Sequence, residues 1–190
     1  MPVRYGAANF VLAGAYMPSI LPMNVERLIQ SISIVIVEDN LFMRKVFRTL
    51  LTNLGIKAIH EAADGAAGLE AIRAHAPDIV LLDWEMPVLN GLEVVRTVRK
   101  PGDFPLPDVP IIMLSAHGER WRVVEAARAG VHEFLKKPVS GKVLLDRMVA
   151  ILTTPRPMVT LGDYYGPEPR NVFCEPVKAP TDRPPVVMPA

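Results

Sequence analysis

A single cysteine, Cys174, stands among the 190 residues. No intrachain disulfide framework can form, and the chain fits a reducing compartment, which makes the cytoplasm the expected location. An excess of either charge is equally lacking. With 21 Lys and Arg against 20 Asp and Glu, the net charge is +1, which gives no electrostatic reason to bind nucleic acid or an acidic membrane surface. No apolar run approaches the roughly 18–20 residues that span a bilayer. What is present, 50% hydrophobic and 22% charged residues, is an ordinary globular composition, long enough for one full domain with a sizeable core.

The beginning, MPVRYGAANFVLAGAYMPSILPM, has an early Arg4, a short apolar patch and the triplet Ala13-Gly14-Ala15. These loosely resemble a secretory signal, but the patch around Phe10 to Leu12 is too short, and Pro18 and Pro22 break the stretch after it. Residues 1–31 are expected to be a flexible extension, with Met17 and Met23 as alternative starts.

From Ile32 onward, apolar runs alternate with amphipathic stretches. ISIVIV is continuous, as suits a parallel strand buried on both faces. After Asn40, a helix N-cap, Met43, Val46, Phe47, Leu50, Leu51 and Leu54 form one stripe that closes at Gly55. KAIHEA is a second strand, after which Asp64 caps a helix expected to turn Ala66, Leu69 and Ile72 inward. DIVLLD, PIIMLS and HEFLKK continue the strands; NGLEVVRTVRK, ERWRVVEAARAG and SGKVLLDRMVAIL supply the helices. This alternation predicts one domain over residues 32–153. It is α/β, a doubly wound five-stranded parallel sheet with five helices. Ligands of such sheets sit beyond the carboxyl ends of the strands, where the winding reverses.

Residues 154–190 read differently. The stretch from Thr153 onward holds nine of the 19 prolines, its charges balance, and it shows neither helical nor strand periodicity. It is expected to be an extended, poorly ordered tail. Its one distinctive island, GDYYGPEPR, reads either as a turn that docks its aromatics on the domain or as a peptide that a partner recognises.

The strand ends gather chemistry. The first strand delivers Glu38 and Asp39, the third Asp83, the fourth Ser115 and the fifth Lys137. Singly, each is an ordinary cap or solvated charge. Together, three carboxylates on one rim are unfavourable without a cation, and an all-oxygen donor set with room for water suits Mg²⁺.

VEDN after the first strand, DWEMPVLNG after the third, LSAHG after the fourth and AGVHEFLKKP around the fifth, in that order, resemble the receiver domain of two-component response regulators, close in layout to the single-domain chemotaxis type. The likeness covers about two-thirds of the chain. A weaker one links RPMVTLGDYYGPEPR to a segment found after some alphaproteobacterial receivers. The resemblance implies a flavodoxin-like sheet of order 2-1-3-4-5. It also implies that Asp83 accepts a phosphoryl group from a histidine kinase or a histidine phosphotransfer protein. Mg²⁺ would be held by Asp39, Asp83, the backbone carbonyl of Glu85 and, through water, Glu38. Lys137, before a cis Pro138, would offer its ammonium to a phosphoryl oxygen. Ser115 and Phe134 would form the switch, with Phe where many relatives have Tyr.

The fourth of the expected helices, the fifth strand and the fifth helix would then present an altered surface to a downstream protein, with Trp121 and Val123 as apolar anchors and Arg120 and Arg128 at the rim. A homodimer through those helices stays open. Glu85 and His117, each two residues beyond a site residue, are placed to tune the lifetime of the phosphoryl group. No DNA-binding domain fits after Leu152, where basic helices are lacking. Two other readings compete. One is a metal-dependent phosphatase of the haloacid dehalogenase class, which wants a second Asp where Glu85 stands. The other is a receiver fold that binds a partner without phosphorylation, which the complete acidic and Lys set disfavours.

Overall fold

The runs of β-branched residues become strands because each can bury both faces at once. The computed structural model describes residues 23–170. Its elements run α1 (Met23–Ser31), β1 (Ser33–Val37), α2 (Leu41–Asn53), β2 (Ala58–Ala62), α3 (Gly65–His75), β3 (Ile79–Asp83), α4 (Gly91–Val98), β4 (Ile111–Ser115), α5 (Arg120–Ala129), β5 (Glu133–Lys136), α6 (Gly141–Thr153), β6 (Met158–Leu161) and β7 (Tyr164–Pro167). The first five strands pair in parallel in the order β2-β1-β3-β4-β5. This is the doubly wound, flavodoxin-like sheet expected, and its winding reverses between β1 and β3.

Side-chain alternation sorts the core into two layers. Ile34, Ile36, Ile79, Leu81, Ile112 and Leu114 meet Phe47 and Leu51 of α2 and Leu144 and Met148 of α6. Val35, Val37, Val80, Leu82, Ile111 and Met113 meet Ile72 of α3, Val94, Val95 and Val98 of α4, and Ala126 of α5. Each fully buried aliphatic side chain contributes about 1.5–3 kcal/mol relative to exposure. Asn40 caps α2 by accepting from the amides of Phe42 and Met43, and Asp64 caps α3 through the amide of Ala67. Ala66 does not point inward as expected but is exposed; Gly65, Gly68 and Ile72 take the buried face of α3. Helix and strand approach so closely there that a Cβ on Gly68 would stand 2.7 Å from Val37 Cγ1.

Two parts depart from expectation. The extension over residues 1–31 is not wholly flexible: residues 23–31 form a sixth helix, α1. Val25 and Ile29 on α1, and Ile32 just after it, pack on the α2–α6 side of the sheet. Pro22, immediately before α1, lacks only a backbone N–H that the first turn of a helix does not use, so it does not hinder a helix that begins after it. The tail, in turn, is not simply extended. β6 and β7 pair antiparallel around Gly162 and Asp163, Gly162 supplying the left-handed conformation (φ 59°) that a tight hairpin needs. A two-stranded ribbon is marginal alone, and this one is seated on the end of α5, so the tyrosine-bearing island does dock on the domain. The signal-like segment through residue 22 and Cys174 lie outside the described residues.

Candidate functional site

At the reversal of winding, β1 and β3 run side by side and release Glu38, Asp39 and Asp83 at their carboxyl ends. One carboxylate oxygen from each lies within 4.8 Å of the others. Glu38 is 2% exposed and Asp83 4%, whereas Asp39 is open to solvent. The ammonium of Lys137 enters from the end of β5, donating to Glu38 Oε2 at 2.6 Å and standing 2.7 Å from Asp83 Oδ1. The backbone of Lys137 is held to β4, where the Lys137 amide donates to the Ser115 carbonyl at 2.7 Å; the Lys137–Pro138 bond is cis. Lys136, its neighbour, is exposed, as the alternation of a strand requires.

The turn after Asp83 is fixed by a close approach. The Gly91 amide donates to the Trp84 carbonyl at 2.9 Å, and a Cβ on Gly91 would stand 2.2 Å from the Asp83 carbonyl oxygen. Asn90 and Glu93 close a capping box at the start of α4, which holds the loop from below.

Electrostatically the site is in tension. Burial, and then repulsion from Asp83, raise the Glu38 pKa against the pull of Lys137. Burial likewise raises that of Asp83, with Asp39 adding to the rise and Lys137 opposing it. Burial disfavours the Lys137 ammonium, yet the two carboxylates outweigh it and the pKa goes up. Three carboxylates against one ammonium leave two negative charges when all are ionised, the complement of one divalent cation. Hard oxygens with one open acid fit Mg²⁺ by donor chemistry.

Ser115 is fully buried at the end of β4, where its Oγ accepts from the amide of His117 at 3.1 Å. Phe134 is half-buried, its ring edge-on to Trp84 with centroids 6.2 Å apart. Glu85 and His117 meet across the mouth, Oε1 to Nε2 at 3.4 Å. Trp121 and Val123 are exposed, at 49% and 39%. Two residues escaped sequence reasoning. Trp84, beside Asp83, is buried beneath the Arg122 guanidinium (5.3 Å to the ring) and edge-on to Trp121. Arg122 also donates to Glu85 Oε1 at 3.1 Å, closing the mouth from α5. The tryptophan in LLDWEM was a signal for the first; nothing local marks Arg122.

The family model described as response regulator receiver domain matches residues 34–149, and the chain belongs to that family. Its members are signalling domains of the two-component type, and this chain is a CheY-like phosphoacceptor receiver; nothing in the matches supports the phosphatase reading. Among its relatives, the chemotaxis protein CheY1 of Helicobacter pylori is 34% identical over 122 residues, 64% of this chain and 97% of that one. The chemotaxis protein CheY of Pseudomonas aeruginosa is 35% identical over 118 residues, 62% and 94% of the two chains. Among solved structures, the CheX–CheY–BeF₃–Mg²⁺ complex from Borrelia burgdorferi aligns with a TM-score of 0.59 at 27% identity, covering 64% of this chain and 89% of that one. No described helix is long and apolar enough to cross a membrane.

Proposed function

We propose that Asp83 is the phosphoacceptor of a switch whose output is contact with another protein. The observation that carries this is the placement of the Lys137 ammonium between Glu38 and Asp83, inside a three-carboxylate cluster. A carboxylate is a weak nucleophile, so transfer depends on positioning and on neutralising charge. An Asp83 oxygen bonds to phosphorus as the phosphorus–nitrogen bond to a donor phosphohistidine breaks, and the electron pair returns to the imidazole. Lys137 holds Asp83 in place and remains as a fixed cation for a phosphoryl oxygen. Asp39, Asp83, the Glu85 carbonyl and, through water, Glu38 would hold Mg²⁺, which supplies charge neutralisation when bound.

The product adds about two negative charges beside β4. Ser115 Oγ donates to them, and Phe134 turns toward the space this opens, needing no partner for a hydroxyl. Trp121 and Val123 are the exposed apolar contacts for the downstream protein. Glu85 and His117, joined across the mouth, control the approach of water. The donor is a histidine kinase or a histidine phosphotransfer protein, and the compartment is the cytoplasm. A homodimer through α5 and α6 would have to accommodate the β6–β7 ribbon, which lies against α5.

The test is intact mass after incubation with acetyl phosphate and Mg²⁺. The parent chain gains one phosphoryl group and Asp83→Asn gains none; equal labelling of both would refute the assignment.

A further inference from the structure

Residues 156–170 fold back against the end of α5 and the start of β5, and Arg147 of α6 lines the same cleft. Arg156 donates from Nη2 to the His132 carbonyl and from Nη1 to that of Glu168, the latter at 2.9 Å. Arg170 pairs with the carboxylate of Glu133, a residue only 5% exposed. Tyr165 donates to Asp108 Oδ1, and Tyr164 ties the ribbon to itself by donating to the Pro167 carbonyl at 2.6 Å. Backbone meets backbone at two glycines. A Cβ on Gly166 would stand 2.7 Å from Gly130 Cα, and one on Gly130 would stand 2.8 Å from the Tyr165 carbonyl oxygen. The seat is braced from beneath by buried Arg99, whose Nε donates to the Gly130 carbonyl and whose Nη2 donates to that of Val109, at 2.9 and 2.8 Å. This is a fitted contact rather than a loose tail.

The next residue after the two gripped by Arg156 and Arg170 is Phe134. It lines one cleft with Tyr164, Pro167, Pro169 and Arg170, and its ring stands edge-on to that of Trp84, the neighbour of Asp83. The hairpin therefore contacts the strand that carries the switch ring, one residue away from it.

We propose that the hairpin of residues 156–170 is an intramolecular ligand of the α5–β5–α6 face that favours Phe134 at the cleft and so opposes phosphorylation of Asp83. This rests on Asp83 being the phosphoacceptor and Phe134 the switch ring. A segment that binds one arrangement of a face better than the other shifts the balance by that difference. The linkage is reciprocal, so loosening the hairpin strengthens binding at the phosphoacceptor.

The experiment titrates the full chain with beryllofluoride in the presence of Mg²⁺, read by the fluorescence of Trp84 and Trp121. Arg170→Ala removes one grip while Glu133 keeps Arg147, at 3.5 Å; Gly166→Val pushes β7 away from Gly130. Both are expected to bind about threefold or more tightly, Arg170→Lys to return toward the parent, and Thr160→Ala, exposed on β6, to match it. Circular dichroism reports the fold. Should Gly166→Val not fold, Arg170→Ala decides, since its side chain is 49% exposed. A parent that responds while both folded variants bind no more tightly overturns the hairpin proposal alone. A parent that gives no response overturns the assignment of Asp83, and this proposal with it.

Discussion

Replacing Lys137 by Met keeps the length of the side chain and removes its charge. The loss can be sized from the site. Glu38 and Asp83 are 2% and 4% exposed, the Lys137 side chain is 15% exposed, and its Nζ lies 2.6 and 2.7 Å from the two carboxylates. Solvent screening is therefore slight, and removing one partner of such a buried arrangement costs about 3–5 kcal/mol. The lower end is expected, because burial, with repulsion from Asp83 on Glu38 and from Asp39 on Asp83, already raises both acids, so one can take a proton and relieve part of the strain. In urea melts at pH 7 with EDTA, Lys137→Met should lose about 3 kcal/mol. Excess Mg²⁺ should return about 1 kcal/mol or more, since a divalent cation replaces the missing charge. Asp83→Asn should cost little or stabilise, and in the double mutant the two changes should couple by about 1.5 kcal/mol or more. A loss below about 0.5 kcal/mol, with effects that simply add, would refute the reasoning that the ammonium holds the acidic cluster together.

Three further outcomes are expected. Gly91→Ala forces a Cβ to within 2.2 Å of the Asp83 carbonyl oxygen; it should cost about 1–3 kcal/mol and slow phosphorylation by acetyl phosphate, measured by mass. His132, buried and facing Arg99, Arg156 and Arg170, has its pKa pushed down to about 3. Below about pH 6.5 the unfolded chain binds a proton that the folded one refuses, so stability drops by about 2 kcal/mol by pH 5; urea melts of His132→Asn across this window should show a slope shallower by that amount. Glu85→Gln and His117→Ala should each change the dephosphorylation rate about threefold or more while stability stays within about 0.5 kcal/mol. Equal hydrolysis rates would remove both from the path of water.

The central strands and the acidic rim were legible because each depends on a local pattern. SIVIV and IVLLD can only be buried on two faces, and the winding rule then places Glu38, Asp39 and Asp83 together. Alternation set Lys136 and Lys137 on opposite faces, and the match of Lys137-Pro138 to the receiver motif then singled out Lys137. Helix α1 was missed although Val25, Leu28, Ile29 and Ile32 are spaced for one face, because a nine-residue helix is held by packing rather than by its own propensity. The β6–β7 ribbon was missed for a related reason. Its strands have four residues each, and its seat is made by Gly130, Arg99 and Glu133, which belong to other parts of the chain. Arg122 acts on Glu85 across 37 positions, a relation that no local spacing encodes.

The most direct measurement traces the phosphoryl group to its atom. The chain is exposed to a phosphohistidine donor, reduced with borohydride and mapped by peptide mass spectrometry. Conversion of Asp83 alone to homoserine is the predicted result. Homoserine at Asp39 or another aspartate, 5-hydroxynorvaline at Glu38, or a reduced residue that persists in Asp83→Asn would contradict the account.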